Sequence, residues 1–121
     1  MDCGTTITVS NDVAAPNLER VAYNVQFGNW TQPPHAEIAP GKSNTFSVQA
    51  DDGGTEGEVT YRRTPGVTLK IYFKCSPDDH VKNVVTVTPA DDFDVTYNES
   101  GNPLVASINV LPNDTEKPDS Q

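Results

Sequence analysis

The chain has 121 residues, 35% of them hydrophobic, and its eight Lys+Arg stand against 17 Asp+Glu for a formal charge of −9. That length supports one core rather than two, and so negative a chain repels polyphosphates and has no counterion-release term to drive binding, which argues against nucleic acid as a partner. No stretch approaches the roughly 20 continuous apolar residues of a spanning helix, and the first residues lack the basic and apolar regions of a signal peptide.

Strand signals then follow one another along the chain, and no window carries a helical i, i+3, i+4, i+7 apolar pattern. Residues 5–10 put Ile7 and Val9 on one face; residues 21–27 alternate through Val21, Tyr23, Val25 and Phe27; residues 44–50 do so through Phe46, Val48 and Ala50. Residues 57–63 set Val59 and Tyr61 inward, 67–73 set Val67, Leu69, Ile71 and Phe73, and 83–88 set Val85 and Val87. Residues 92–97 add Phe93, Val95 and Tyr97, and 104–110 add Leu104, Ala106, Ile108 and Val110. Polar turn sequences such as "TQPP", "APGK", "DDGG", "SPDD" and "ESGNP" separate these runs.

About eight strands, each with one apolar face, predict an all-β, single-domain antiparallel β-sandwich over residues 1–111. Its expected core comprises Tyr23, Val25, Phe27, Phe46, Val48, Leu69, Ile71, Phe93, Val95 and Ile108. Residues 112–121, "PNDTEKPDSQ", hold no apolar side chain beyond their prolines and are expected to form a disordered polar tail.

Catalytic signals are weak. No serine sits in a GxSxG or comparable context, and His35 and His80 fall in expected loops, so no enzyme activity is expected. Two histidines and two cysteines without a CxxC make no usual zinc site, and the acidic clusters lack a DxDxDG calcium loop; no metal or cofactor is expected. Cys3 and Cys75 each lie beside an expected strand and are either a disulfide, worth roughly 4 kcal/mol in the chain-entropy model, or a pair of small buried thiols. Sequons occur at Asn29, Asn98 and Asn113, about as many as chance supplies in so Asn-, Ser- and Thr-rich a chain.

Three features bear on binding. Trp30, the only tryptophan, is either a core plug or an exposed amphipathic anchor. Tyr72 lies on the opposite face of its strand from Leu69, Ile71 and Phe73, hence on the outer surface near Lys70 and Lys74. The loop "DDGGTEG" is a bend between strands, and its Asp51, Asp52 and Glu56 are carboxylates suited to an ammonium or choline headgroup.

In order along the chain, "ITVSN" (7–11), "FGNW" (27–30), "IAPG" (38–41), "GTEG" (54–57), "IYFKCSP" (71–77) and the closing "FDVTYNESG" and "ASINV" resemble the landmarks of the aegerolysin family of small β-sandwich proteins. The resemblance spans about residues 5–111. It implies recognition of membrane lipids, commonly sphingolipids with or without sterol, and cytolysis with pores formed alongside a larger perforin-like partner. It implies no enzyme activity. The family's tryptophans beside the Cys-Pro element are absent, since Asp78, Asp79 and His80 follow Pro77. On this reading Trp30, Asp51, Asp52, Glu56 and Tyr72 are the lipid-binding candidates, and the protein is expected outside the cell, with the cytoplasm as the alternative. The rival reading is a β-sandwich adhesion or carbohydrate-binding module, with Trp30 or Tyr72 stacked on a sugar; a third is a structural or defence protein without a small ligand.

Overall fold

The computed structural model describes residues 4–50, 53–63, 67–78, 80–100 and 103–111; Cys3, Asp51, Asp52, Asp79 and the segment 112–121 lie outside them. The eight expected strands form: β1 (Thr5–Asn11), β2 (Leu18–Phe27), β5 (Ser43–Gln49), β6 (Thr55–Arg63), β7 (Val67–Cys75), β8 (Val84–Thr88), β9 (Phe93–Tyr97) and β10 (Leu104–Val110). Two short strands join them, β3 (Asn29–Gln32) and β4 (Glu37–Ile38), and Ala90–Asp92 makes a 3-10 turn. The strands form two five-stranded sheets, ordered β3-β5-β1-β10-β9 and β4-β2-β6-β7-β8. Pairing is antiparallel except between β1 and β10, which run parallel from Thr5 opposite Leu104 to Asn11 opposite Val110. That pair departs from the expected all-antiparallel arrangement: the first and last strands have no hairpin between them to reverse direction.

Strict alternation selects the core. β1 buries Thr5, Ile7, Val9 and Asn11 while Thr6, Thr8 and Ser10 face outward, and β10 buries Leu104, Ala106, Ile108 and Val110 in the same way. Phe46 and Val48 from β5 meet Val59, Tyr61, Leu69, Ile71 and Phe73 from β6 and β7 across the sandwich. Each such aliphatic or aromatic side chain contributes roughly 1.5–3 kcal/mol by burial.

β2 departs from its expected alternation. It pairs with β4 only through Leu18 and Glu19, so most of its length is an edge strand, and its ladder with β6 shifts register between Arg20 and Ala22 and again between Val25 and Phe27. Leu18 is buried instead, together with Ile38 of β4. Tyr23 stays opposite the inward Val59 but sits at the rim, 38% exposed, under the Arg20 guanidinium at 4.4 Å from its ring centroid. Val25 packs half-buried against the core. Phe27, expected inside, is 62% exposed, and Val21 is exposed as well. A bulge adds one residue to one strand, which reverses the facing of every residue beyond it.

From Phe27 the chain passes to the other sheet through Gly28, whose φ is +106°. A Cβ there would stand 2.8 Å from Val48 Cγ1 and 2.9 Å from the Gln49 carbonyl, so only glycine fits this crossover. The crossover delivers Trp30 to the gap between the edge strands of the two sheets. Its ring lies edge-on to Tyr23 at 5.4 Å, Phe46 at 5.8 Å and Phe73 at 6.3 Å. Trp30 therefore closes the side of the sandwich.

β1 and β10 start, and β2 ends, at what we call the upper end; β1 and β10 finish, and β2 starts, at the lower end. At the lower end the fully buried Arg63 donates through Nη2 to the Leu111 carbonyl at 2.6 Å.

Candidate functional site

Glu56 and Tyr72 come from adjacent strands. In the β6–β7 ladder Glu56 stands opposite Lys74 and Tyr72 opposite Glu58, so all four point to the outer face of the sheet near its upper end. Along the diagonal the Tyr72 hydroxyl donates to Glu56 Oε2 at 2.5 Å. Partial burial, reinforced by this bond and by the Glu56 charge, pushes the Tyr72 phenol up to about 12, so at neutral pH it is a neutral donor that orients the carboxylate. Glu56 Oε1 has no hydrogen bond among the described residues. Lys70 reaches Glu58 only at 4.0 Å, with both side chains substantially exposed, so that pair contributes little.

The second β2 bulge places Phe27 beside this pair. Phe27 stands opposite Glu56 in the β2–β6 ladder, on the same outward face. The row therefore runs from an exposed aromatic ring, through a carboxylate held by a phenol, to an exposed ammonium at Lys74. Val81, between β7 and β8, and Val105, second residue of β10, are also exposed at the upper end. An aromatic face beside a carboxylate is suited to an organic cation, and exposed apolar side chains at one end of a sandwich are suited to an interface.

Of the sequence candidates, Glu56 and Tyr72 are brought into direct contact. Trp30 is not with them: it is wedged between the sheets. Asp51 and Asp52 lie outside the described residues. Cys75 is buried and disulfide-bonded, while Cys3, the other cysteine of the chain, lies outside the described residues. His35 and His80 are exposed, His80 lying 3.3 Å from Asp78. Among the described residues no three His, Cys, Asp or Glu side chains gather as a metal-ligand set, and no helix is long and apolar enough to cross a membrane. Sequence reasoning missed Phe27. A register shift leaves no mark in an alternating pattern, and the only local signal was Gly28 directly after it.

No family model matches the chain, and no curated protein matches it in sequence. Its fold is similar to that of solved structures. The lipid binding protein Nakanori superposes with a TM-score of 0.76 at 10% identity, over 90% of this chain and 71% of that one. RahU protein, solved in complex with a TRIS molecule, gives 0.71 at 10% identity over 93% and 98%. The lectin XCL of Xerocomus chrysenteron gives 0.63 at 14% identity over 90% and 99%. At these identities the likeness is one of fold: a two-sheet β-sandwich used by lipid-binding and lectin proteins alike.

Proposed function

We propose that the protein is a non-enzymatic, aegerolysin-like lipid-recognition module that meets the membrane with its upper end. The observation that carries this reading is Phe27, exposed beside the Tyr72–Glu56 pair. Phe27, with Val81 and Val105, supplies apolar contact, and Glu56 meets the cationic group of a choline or ethanolamine headgroup. The negative chain disfavours anionic lipid, which favours zwitterionic sphingolipids, with or without sterol. The fold shared with Nakanori supports lipid binding in general. The sequence resemblance supports the finer reading, an extracellular protein that is cytolytic together with a larger perforin-like partner.

The test is sedimentation with vesicles of sphingomyelin, ceramide phosphoethanolamine or phosphatidylcholine, each with and without sterol. Sedimentation with sphingolipid vesicles that Phe27→Ala abolishes is the expected result. Failure to sediment with any of these vesicles would overturn the reading and move adhesion or carbohydrate binding ahead.

A further inference from the structure

The two outer faces of the sandwich differ in charge. Along its whole length the outer face of β2, β6 and β7 carries Glu19, Glu56, Glu58, Arg62, Lys70 and Lys74. The outer face of the other sheet is almost uncharged. Register places Thr45, Thr8, Ser107 and Thr96 in one row across four strands, and Ser43, Ser10, Asn109 and Asp94 in the next row toward the lower end. Thr8 and Thr45 hydroxyls lie 2.8 Å apart, as do those of Ser10 and Ser43. Each such pair uses one donor and one acceptor internally, so the rows present more acceptors than donors to a ligand.

The second row runs into a cavity of about 320 Å³, formed where the β1–β2 connection, the β4–β5 turn and the end of β10 meet; Ser10, Asp12, Val13, Gly41, Asn109 and Leu111 line it. That volume is at the lower limit of small-molecule sites and suits one or two sugar rings. Asp12 is fixed in place, because its Oδ1 accepts from the Ala14 amide at 2.8 Å, and its Oδ2 has no hydrogen bond among the described residues. Val13 is 80% exposed and lies against Gly41, where φ is +78° and a Cβ would come within 3.0 Å of Val13 Cγ1.

We infer that this lower-end cavity binds a neutral saccharide, with Asp12, Asn109 and Ser10 recognising its hydroxyl groups and Val13 covering a C–H face of the ring. A carboxylate, an amide and a hydroxyl converging beside one apolar side chain match a ligand that offers many O–H donors and carries no charge. Among the described residues no basic side chain lines the cavity, so an anion finds no counter-charge from them there. β1, seven residues long, separates the two ends by roughly 20 Å. The lower end thus stays open to a glycan while the upper end faces a bilayer, and the inference does not depend on the lipid reading.

The test is a nitrogen-15 NMR titration of the full chain with galactose, mannose, N-acetylglucosamine and lactose in turn. At least one sugar should shift the amides of residues 10–13, 41 and 109–111, saturating in the millimolar range. Asn109→Ala and Asp12→Asn, the latter keeping an acceptor for the Ala14 amide, should each weaken binding at least about tenfold with the rest of the spectrum unchanged. Phe27→Ala should leave the titration as it was, whatever it does to vesicle binding. No shift at these amides with any of the four sugars, or shifts that both cavity variants leave intact, would overturn the inference.

Discussion

Phe27 stands opposite Glu56, one step past a register shift, with its ring in solvent, while Trp30, three residues further on, points back between the sheets against Phe46 and Phe73. Alternation assigns Phe27 to the core and leaves Trp30 open between a core plug and an exposed anchor; in the structure Phe27 is outside and Trp30 packs inside. The bulge turns Phe27 out, and the Gly28 crossover turns Trp30 in.

This arrangement separates binding from stability. Phe27→Ala should leave the thermal midpoint nearly unchanged, because an exposed ring gives up little burial, and should abolish vesicle sedimentation. Trp30→Ala should cost about 3 kcal/mol in denaturant unfolding, since it removes a ring that touches three others. Trp30→Ala that unfolds as readily as wild type would place the tryptophan outside the packing described.

Raising the pH should weaken the fold through tyrosine. Burial pushes Tyr61 up to about 12, from 10 in the unfolded chain, so above pH 10 the unfolded state gives up its proton first. Stability is then fully present below pH 10 and declines toward pH 12, with a limiting slope of about 1.4 kcal/mol per pH unit for this one group. Tyr61→Phe should remove that part of the slope. It should also stabilise the protein at neutral pH, because the Tyr61 hydroxyl is buried with no hydrogen-bond partner among the described residues. Urea midpoints of both proteins across this pH range check both effects.

Gly28→Ala should be among the most damaging single-methyl additions. It places a Cβ at positive φ and within 3 Å of both Val48 Cγ1 and the Gln49 carbonyl, so the crossover or β5 has to move. A loss of more than about 1 kcal/mol by chemical denaturation is expected.

The disulfide of Cys75 should join it to Cys3, tying the start of the chain to the end of β7. Unreduced peptide mapping should give a single linked Cys3–Cys75 fragment, and reduction should lower stability by up to roughly 4 kcal/mol. Two alkylatable thiols in protein purified under native conditions would show that no such bridge forms.

Tyr72→Phe deletes the donor that orients Glu56 while keeping the ring. Vesicle affinity should fall several-fold, less than in Glu56→Gln, which removes the charge that meets the headgroup. Equal affinity in all three proteins would remove this pair from the site.

Alternation alone determined the class of fold. Ile7 and Val9, Phe46 and Val48, Leu69 and Ile71, and Leu104 through Val110 recur at period two, so each strand has one face for a core and one for water. It also placed Tyr72 on the outer face near Lys70 and Lys74, because a residue's side follows from counting along an unbroken strand; that Glu56 belongs to β6 rather than to the loop, within reach of Tyr72, came from the β6–β7 register. The sandwich pairing, the parallel β1–β10 contact and the short strands β3 and β4 come from long-range hydrogen bonding between segments that no local pattern relates. The exposure of Phe27 and the burial of Leu18 follow from one extra residue at each β2 bulge, the burial of Ile38 from its pairing with Leu18, and the wedging of Trp30 from the Gly28 crossover. The lower cavity likewise exists only where three distant segments, around Asp12, Gly41 and Asn109, end beside one another. Period two tells which way a side chain points until the ladder slips; where it slips, and what then lies across from it, is decided by the neighbouring strand.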